Sequence, residues 1–458
     1  MNLQNGEQAI DDEETFPQTP PGTPKTTKTF TLLTNRHLEK EDFDEIAAIK
    51  NMVRSVTGKF HKVSMNEELK ENYVDELEAL RLEIKKSKER ERQLANKLDK
   101  LKVAYNEEVR LRRQIHDELM AIKGNIRVFL RVRPFQSSNF CEDERAIQIL
   151  DESTILHISQ NKKFEFDACI NDRMNNETIF KSFVAPFVVS FMDGRNATLI
   201  AYGQTGSGKT FTMEGTEKDN GMYLRAIQLA FELSMKNGLE VPSFQVSILQ
   251  VYNESLQDLL QEDSKHNLEI HQHPDGRNYV KNLTKVLVHS VDQVKTCLKT
   301  ASKRRAIGGH ALNDQSSRSH LIFFLEYNAK VKLVLVDLAG SERLNRTDPK
   351  GDRLKESQAI NKSLSALGDV LQSLKNKNNY HHPFRNTKLT FLLQDSLLGN
   401  SKVAFFACVS PEAEFSQETF CTLSFAERIR KVELSFASLR TSATVPSSTN
   451  TLALLTKT

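Results

Sequence analysis

GQTGSGKT, Gly203 to Thr210, fits the spacing GxxxxGK[ST] and follows the apolar run Thr198 to Tyr202. That order predicts a buried strand, a phosphate-cradling loop and then a helix. Gly203, Gly206 and Gly208 let the backbone curl so that successive N–H groups and a helix N-terminus face phosphate oxygens. Lys209 is then placed to neutralise the β- and γ-phosphates, and Thr210 to ligate Mg²⁺. Gln204, Thr205 and Ser207 fill the rest of the loop. The chain is therefore expected to bind a nucleoside triphosphate.

Two further segments specify what kind of nucleotide machine this is. NDQSSRSH, Asn313 to His320, sets hydroxyl and amide side chains around Arg318, too polar for a core strand but suited to sensing a γ-phosphate. DLAGSE, Asp337 to Glu342, follows the apolar strand Lys332 to Val336. Asp337 can then sit behind Mg²⁺ through water, and the Gly340 N–H can meet the γ-phosphate. Both segments read as nucleotide-sensing switches.

Composition narrows the class. In 458 residues, 38% are hydrophobic and 27% charged, enough apolar material for one large core plus extensions. A net charge of +3 argues against a surface that binds polyanions everywhere, so any basic patch must be local. The five cysteines, Cys141, Cys169, Cys297, Cys408 and Cys421, never form a CxxC pair, which fits a reducing compartment and argues against zinc. The N-terminus is acidic and no run of about 18 apolar residues occurs, so neither a signal peptide nor a membrane span is expected. A zinc finger, an RNP-type strand and an aromatic-basic platform are all lacking, so nucleic acid is not an expected partner.

Along the chain, residues 1–40 mix acidic residues with Thr, Pro and Gly and are expected to be disordered. Thr19-Pro20 and Thr23-Pro24 are candidate sites of proline-directed phosphorylation. Residues 41–72 read as a partly helical linker. From Tyr73 to Ile126 a heptad frame sets Leu77, Ile84, Leu98, Tyr105, Leu119 and Ile126 at one core position. Tyr73, Leu80, Leu94, Leu101, Ile115 and Ile122 occupy the other. This predicts a coiled-coil stalk and neck over 73–123, about 75 Å long at about 1.5 Å per residue; a solvated single helix is the alternative. Ser87, Glu91, Glu108 and Arg112 interrupt the seam, and the last three would face their own copies in a parallel homodimer. A heterodimer with a related chain therefore stands beside a homodimer. After Gly124-Asn125 the pattern becomes β-rich, and strand-like and helix-like stretches alternate over 124–434 as in an α/β domain. Residues 435–458 read as a flexible tail.

RVRP (Arg131 to Pro134), AYGQTGSGKTFTMEG, NDQSSRSH, LVDLAGSE, INKSLSALGDV and HHPFRNTKLTFLLQDSLLGN occur in one order across nearly all of Asn125 to Leu434. In these strings the chain resembles the kinesin motor family. The resemblance implies a P-loop NTPase fold, α/β, with a central mixed β-sheet flanked by helices and preceded by an α-helical coiled coil. It implies ATP and Mg²⁺ as ligands and microtubules as the track. By the same resemblance Arg131, Arg133, Pro134 and Phe211 border the adenine. Ser316 and Ser317 reach Mg²⁺, the γ-phosphate and the attacking water, with Thr210, Ser317 and Asp337 at the metal. Arg318 and Glu342 close a salt bridge between the switches when ATP is bound. Arg343, Arg346, Lys375, Lys377, Arg385 and Lys388 face tubulin.

The coiled coil precedes the catalytic domain, and the junction LRRQIHDELMAIKGNIRVFLRVRP resembles the neck of the C-terminal-motor class. That class implies minus-end-directed movement, a cytoplasmic, microtubule-associated location and a place on the spindle. Departures are small: Tyr223-Leu224 stands where Ile-Pro is usual, and GGHALN replaces the usual approach to the first switch. A microtubule-gripping regulatory subunit with little ATP turnover is the competing reading.

Overall fold

The computed structural model describes residues 67–136, 145–236, 242–261, 267–274, 276–307, 315–328, 330–342, 352–374, 382–398 and 401–443, with side chains given for most of them. The expectations for residues 1–40, for 41–66 and for 444–458 lie outside the described residues, as do both Thr-Pro sites and Cys141.

Contacts divide the chain into Met1–Arg92 and Gln93–Thr458. In the first unit the described part is the beginning of helix α1, Glu67–Ile122. This helix begins six residues before Tyr73, inside the stretch read as linker, because nothing in EELKEN breaks a helix. It stops where Gly124 takes a φ of 99°, a left-handed conformation that closes helices without strain only in glycine. Most of its heptad positions are bare: Leu94, Leu101, Ile115 and Ile122 are 56 to 79% exposed. An apolar stripe so exposed on one chain matches a helix with a coiled-coil partner.

In the second unit a nine-stranded mixed sheet forms the centre. Its order is β11 (Val286–Val288), β7 (Phe244–Tyr252), β12 (His320–Tyr327), β13 (Val331–Asp337), β6 (Ala197–Tyr202), β14 (Lys402–Val409), β1 (Ile126–Val132) and β5 (Ala168–Ile170), with β8 (Ser255–Asp258) paired to β7. β2 (Ile147–Ile149), β3 (Thr154–His157) and β4 (Lys162–Glu165) form a separate small sheet, and β9 (Glu269–Gln272) pairs with β10 (Asn278–Lys281). The five strands from β13 to β5 are mutually parallel, while β12, β7, β8 and β11 pair antiparallel. Alternation along each central strand feeds two cores. On β14, Val403, Phe405, Ala407 and Val409 enter one, and Ala404, Phe406 and Cys408 the other. A strand buried on both faces needs such a continuous apolar run, which KVAFFACV supplies.

Helices cover both faces. α2 (Ala185–Met192), α4 (Met222–Lys236) and α5 (Val291–Ile307) pack on one face, with Phe187, Ala226 and Val294 buried there. Between α2 and α4 in the chain lies the short α3 (Lys209–Met213). α6 (Asp352–Leu374) and α7 (Ser416–Ala443) cover the other face through Leu367, Val370, Leu423 and Ile429. α7 runs past Leu434 to Ala443, into the stretch read as a flexible tail. The stretch SFASLRTSA has no Pro or Gly to stop it, and the first proline beyond is Pro446. Among the described residues no helix is long and apolar enough to cross a membrane.

The last turns of α1 belong to this unit. Met120 is buried, His116 Nε2 lies 3.0 Å from Ser190 Oγ, and Arg195 Nη2 donates to Asp117 Oδ2 at 2.8 Å. Arg112 donates to both oxygens of Asp193. Arg112, one of the polar interruptions of the heptad frame, is thus paired here with a carboxylate at the end of α2.

Candidate nucleotide site

β6 lies between β13 and β14, so the chain leaving Tyr202 emerges at the carboxyl edge of the parallel strands, where open α/β sheets bind ligands. Gly203 follows at once with a φ of 146°, and a Cβ there would overlap the Cys408 carbonyl oxygen. Only glycine lets the loop pass so close to β14. The Gln204 carbonyl then collects three donors: the Ser207 N–H at 3.2 Å, Ser207 Oγ at 2.8 Å and Lys209 Nζ at 2.8 Å. These bonds wind residues 203–208 into a tight coil and turn the opening of α3 outward.

Lys209 is 7% exposed. Burial pushes its pKa down, and the Asp337 and Glu342 carboxylates pull it back up. A desolvated ammonium at the mouth of a helix is strongly attracted to anionic oxygens.

The residues fit a triphosphate with Mg²⁺. Thr210 Oγ1 donates to Asp337 Oδ2 at 2.8 Å, while Asp337 Oδ1 is buried without a protein partner. Burial raises the Asp337 pKa, opposed by Lys209, Arg305 and the Thr210 hydroxyl. Among the described residues no group of three or more His, Cys, Asp or Glu could hold a metal. The Thr210 hydroxyl beside the unpartnered Asp337 oxygen suits Mg²⁺, which takes one or two protein ligands, several waters and phosphate oxygens. When bound, the ion would neutralise charge on the β- and γ-phosphates.

On the base side, the Arg131 guanidinium lies 5.1 Å over the Phe211 ring and Nη1 donates to Thr212 Oγ1 at 2.8 Å. Phe211 and Pro134 are exposed, leaving an aromatic edge and a rigid ring for a planar base. Arg133 has a different task. Its Nη1 meets Glu412 Oε1 at 2.8 Å and its Nη2 donates to Ser410 Oγ at 3.1 Å, so it braces the end of β1 against the chain after β14.

The switches lie against the loop. Gly340 N–H donates to the Ser317 carbonyl at 2.8 Å, and Ser341 N–H to the Gly203 carbonyl at 3.1 Å. A Cβ on Gly340 would meet Thr205 Oγ1 and the Glu342 carboxylate, side-chain ends that would have to shift to admit it. Arg318 and Glu342 are not brought together. Arg318 Nη1 pairs with Glu356 Oε2 of α6 at 2.8 Å, and Glu342 accepts from Thr205 N–H at 2.8 Å and Thr205 Oγ1 at 2.6 Å. Each member of the expected salt bridge thus has another partner in this conformation. Ser316 lies in the 3-10 turn Gln315–Arg318, its side chain outside the described set.

Of the residues expected to face tubulin, Arg343, Arg346, Lys375 and Lys377 lie outside the described residues. Arg385 is exposed, its guanidinium 5.1 Å from the Phe391 centroid, and Lys388 is half-buried with its N–H bonded to Glu254.

Sequence reading missed Glu356, Tyr252 and Arg305. Tyr252 Oη donates to Glu356, and Arg305, 7% exposed, donates to Ser319. No local pattern marks any of them, since each acts through a partner distant in the chain.

A family model described as Kinesin motor domain matches residues 131–432. Kinesin-like protein KIN-14J of Oryza sativa subsp. japonica is 43% identical over 358 residues, covering 74% of this chain and 42% of its own length. The chain therefore spans less than half of that relative. Among solved structures, the C-terminal motor and motor homology domain of Kar3Vik1, fused to a synthetic heterodimeric coiled coil, aligns with a TM-score of 0.68 at 34% identity. It covers 78% of this chain and 99% of that one. A fast kinesin, described with implications for ATPase mechanism and interactions with microtubules, aligns with a TM-score of 0.61 at 33% identity, covering 67% and 92%.

Proposed function

The chain belongs to the kinesin motor family, whose model matches its residues 131–432, and from that premise we propose that it is a microtubule-stimulated ATPase that moves toward microtubule minus ends. One observation carries the reading. The turn Ala339–Glu342 is bonded to the phosphate loop through Ser341 to Gly203 and Glu342 to Thr205, and to the first switch through Gly340 to Ser317. A segment so placed responds to the γ-phosphate, and the chain after it leads to α6, the helix that faces the filament in this reading.

In this proposal Lys209 and the loop N–H groups hold the phosphates, while Thr210, Ser317 and, through water, Asp337 hold Mg²⁺. Closure transfers Arg318 from Glu356 to Glu342, and the joined switches with Ser316 and Ser317 order the attacking water in line with the γ-phosphoryl group. Arg131, Pro134 and Phe211 hold the adenine. Arg343, Arg346, Lys375, Lys377, Arg385 and Lys388 grip the acidic filament surface. The direction follows from class likeness to the KIN-14 relatives and is supported by α1, whose last turns pack on the core ahead of β1. The exposed stripe of α1 supports a coiled-coil dimer, homodimeric or with a related chain, working on the microtubule cytoskeleton and the spindle.

The test is steady-state ATPase with and without microtubules, followed by gliding of polarity-marked filaments. Stimulation by microtubules and minus-end motion are expected. ATP turnover indifferent to microtubules would overturn the motor reading. Nucleotide-dependent filament binding without turnover would favour a tethering subunit, and plus-end gliding would overturn the direction alone.

A further inference from the structure

His320 opens β12, two residues after Arg318, and is 3% exposed. Its ring joins three elements. The Ala339 N–H donates to Nδ1 at 3.0 Å, and Nε2 lies 2.8 Å from Ser363 Oγ in the middle of α6. Ser363 Oγ donates in turn to the Ile360 carbonyl at 2.7 Å. The directions are fixed by the groups. A backbone N–H can only donate, so Nδ1 accepts and the single ring proton sits on Nε2. The Ser363 hydroxyl spends its own proton on Ile360 and therefore accepts from Nε2. Burial, with Arg305 and Lys209 nearby, pushes the His320 pKa down to about 3, so the ring stays neutral and keeps this one tautomer.

We propose that His320 is a positioning residue that couples the turn Ala339–Gly340 to α6 through Ser363. The inference rests on the proposed motor function and adds to it a specific mechanical link. Gly340 N–H, the candidate γ-phosphate donor, belongs to the peptide next to the one whose N–H is held by Nδ1, so a displacement at one reaches the other through the single Ala339 Cα. The imidazole is a flat, rigid spacer that holds a donor and an acceptor at fixed separation. A shift of Ala339 is passed to Ser363 without the slack of a flexible side chain. No other side chain supplies an acceptor and a donor across one rigid ring at this spacing. Asn reaches only the Nδ1 position and Gln only that of Nε2.

The experiment uses the full chain with Ser363→Ala, Ser363→Thr and His320→Asn. Ser363 touches neither nucleotide nor filament in the arrangement above, and alanine favours a helix, so Ser363→Ala should fold with unchanged basal ATPase and ADP affinity. Its microtubule-stimulated rate should fall by about fivefold or more, the range of ordinary coupling energies. Its filament affinities in the ATP-analogue and ADP states should converge. Ser363→Thr should restore both readouts. His320→Asn should lose coupling to the same degree, and the double variant should be no worse than either alone. Full stimulation and undiminished nucleotide dependence in Ser363→Ala would overturn the inference, as would strict additivity in the double variant. Failure of the parent chain to respond to microtubules would instead overturn the motor reading, so the two failures are separable.

Discussion

A cation stands near a carboxylate at the phosphate loop and again at the foot of α1, under opposite conditions. At the phosphate loop Lys209 and Asp337 are 7% and 2% exposed, shielded from water among backbone carbonyls and switch residues. At the foot of α1, Asp193, its side chain 8% exposed, pairs with Arg112 and Arg113, whose side chains are 49% and 46% exposed. Chemical type is the same in both. Burial separates them: a desolvated charge cannot fall back on water when its partner leaves, whereas a half-exposed one can. The pocket is accordingly suited to an all-or-none response to phosphate, and the junction at the foot of α1 to a contact that can be made and broken.

The largest effect expected on this contrast is Lys209→Ala. It removes the buried cation and should lower ATP affinity by at least about a hundredfold, the scale of losing a preorganised charge contact; equilibrium binding of a fluorescent nucleotide measures it. Undiminished affinity would end the comparison, since the buried charge would then be structural only. Next comes Glu342→Ala. Without the carboxylate that Thr205 holds here and that Arg318 takes up on closure, ATP should still bind, while single-turnover hydrolysis drops by about 10²-fold or more. A variant with parental ATPase would remove Glu342 from the machinery. The smallest effect is expected at the neck. Asp193→Ala frees Arg112 and Arg113, whose half-exposed guanidinium groups can return to water, and should cost about 1 kcal/mol of stability. ATPase should be retained and gliding velocity reduced, read by a thermal melt and a filament assay. A loss of ATPase as large as that of Lys209→Ala would show that the two regions are one energetic unit.

How far each region could be read in advance follows the same division. The phosphate loop is eight consecutive residues whose bonds run among themselves, as in Lys209 and Ser207 to the Gln204 carbonyl, so the string alone states the geometry. The heptads of α1 were equally legible as far as Ile122, because helical periodicity is a local property, whereas Ile126, read into the same frame, opens β1. The partner of Arg112 was not: Asp193 is 81 positions away, and the charge pattern of the seam pointed instead to another copy of the helix. Nor were Glu356, which occupies Arg318 from 38 positions further on, or the link from His320 to Ser363 across 43. The end of α7 was hard to read because Ser- and Thr-rich composition suggests a tail, while continuation of a helix needs only the absence of breakers.

Whatever depends on neighbours along the backbone was therefore decided by the order of residues: the nucleotide loop, the strand runs, the long helix and membership of the kinesin family. Tertiary structure alone decided which of two carboxylates Arg318 meets, where Arg112 turns, and that His320 lies between switch and helix. The physical reason is that a side chain's partner is chosen by distance through space. Only the folded sheet, setting β6 between β13 and β14 and α6 across its face, brings those distances down to hydrogen-bond length.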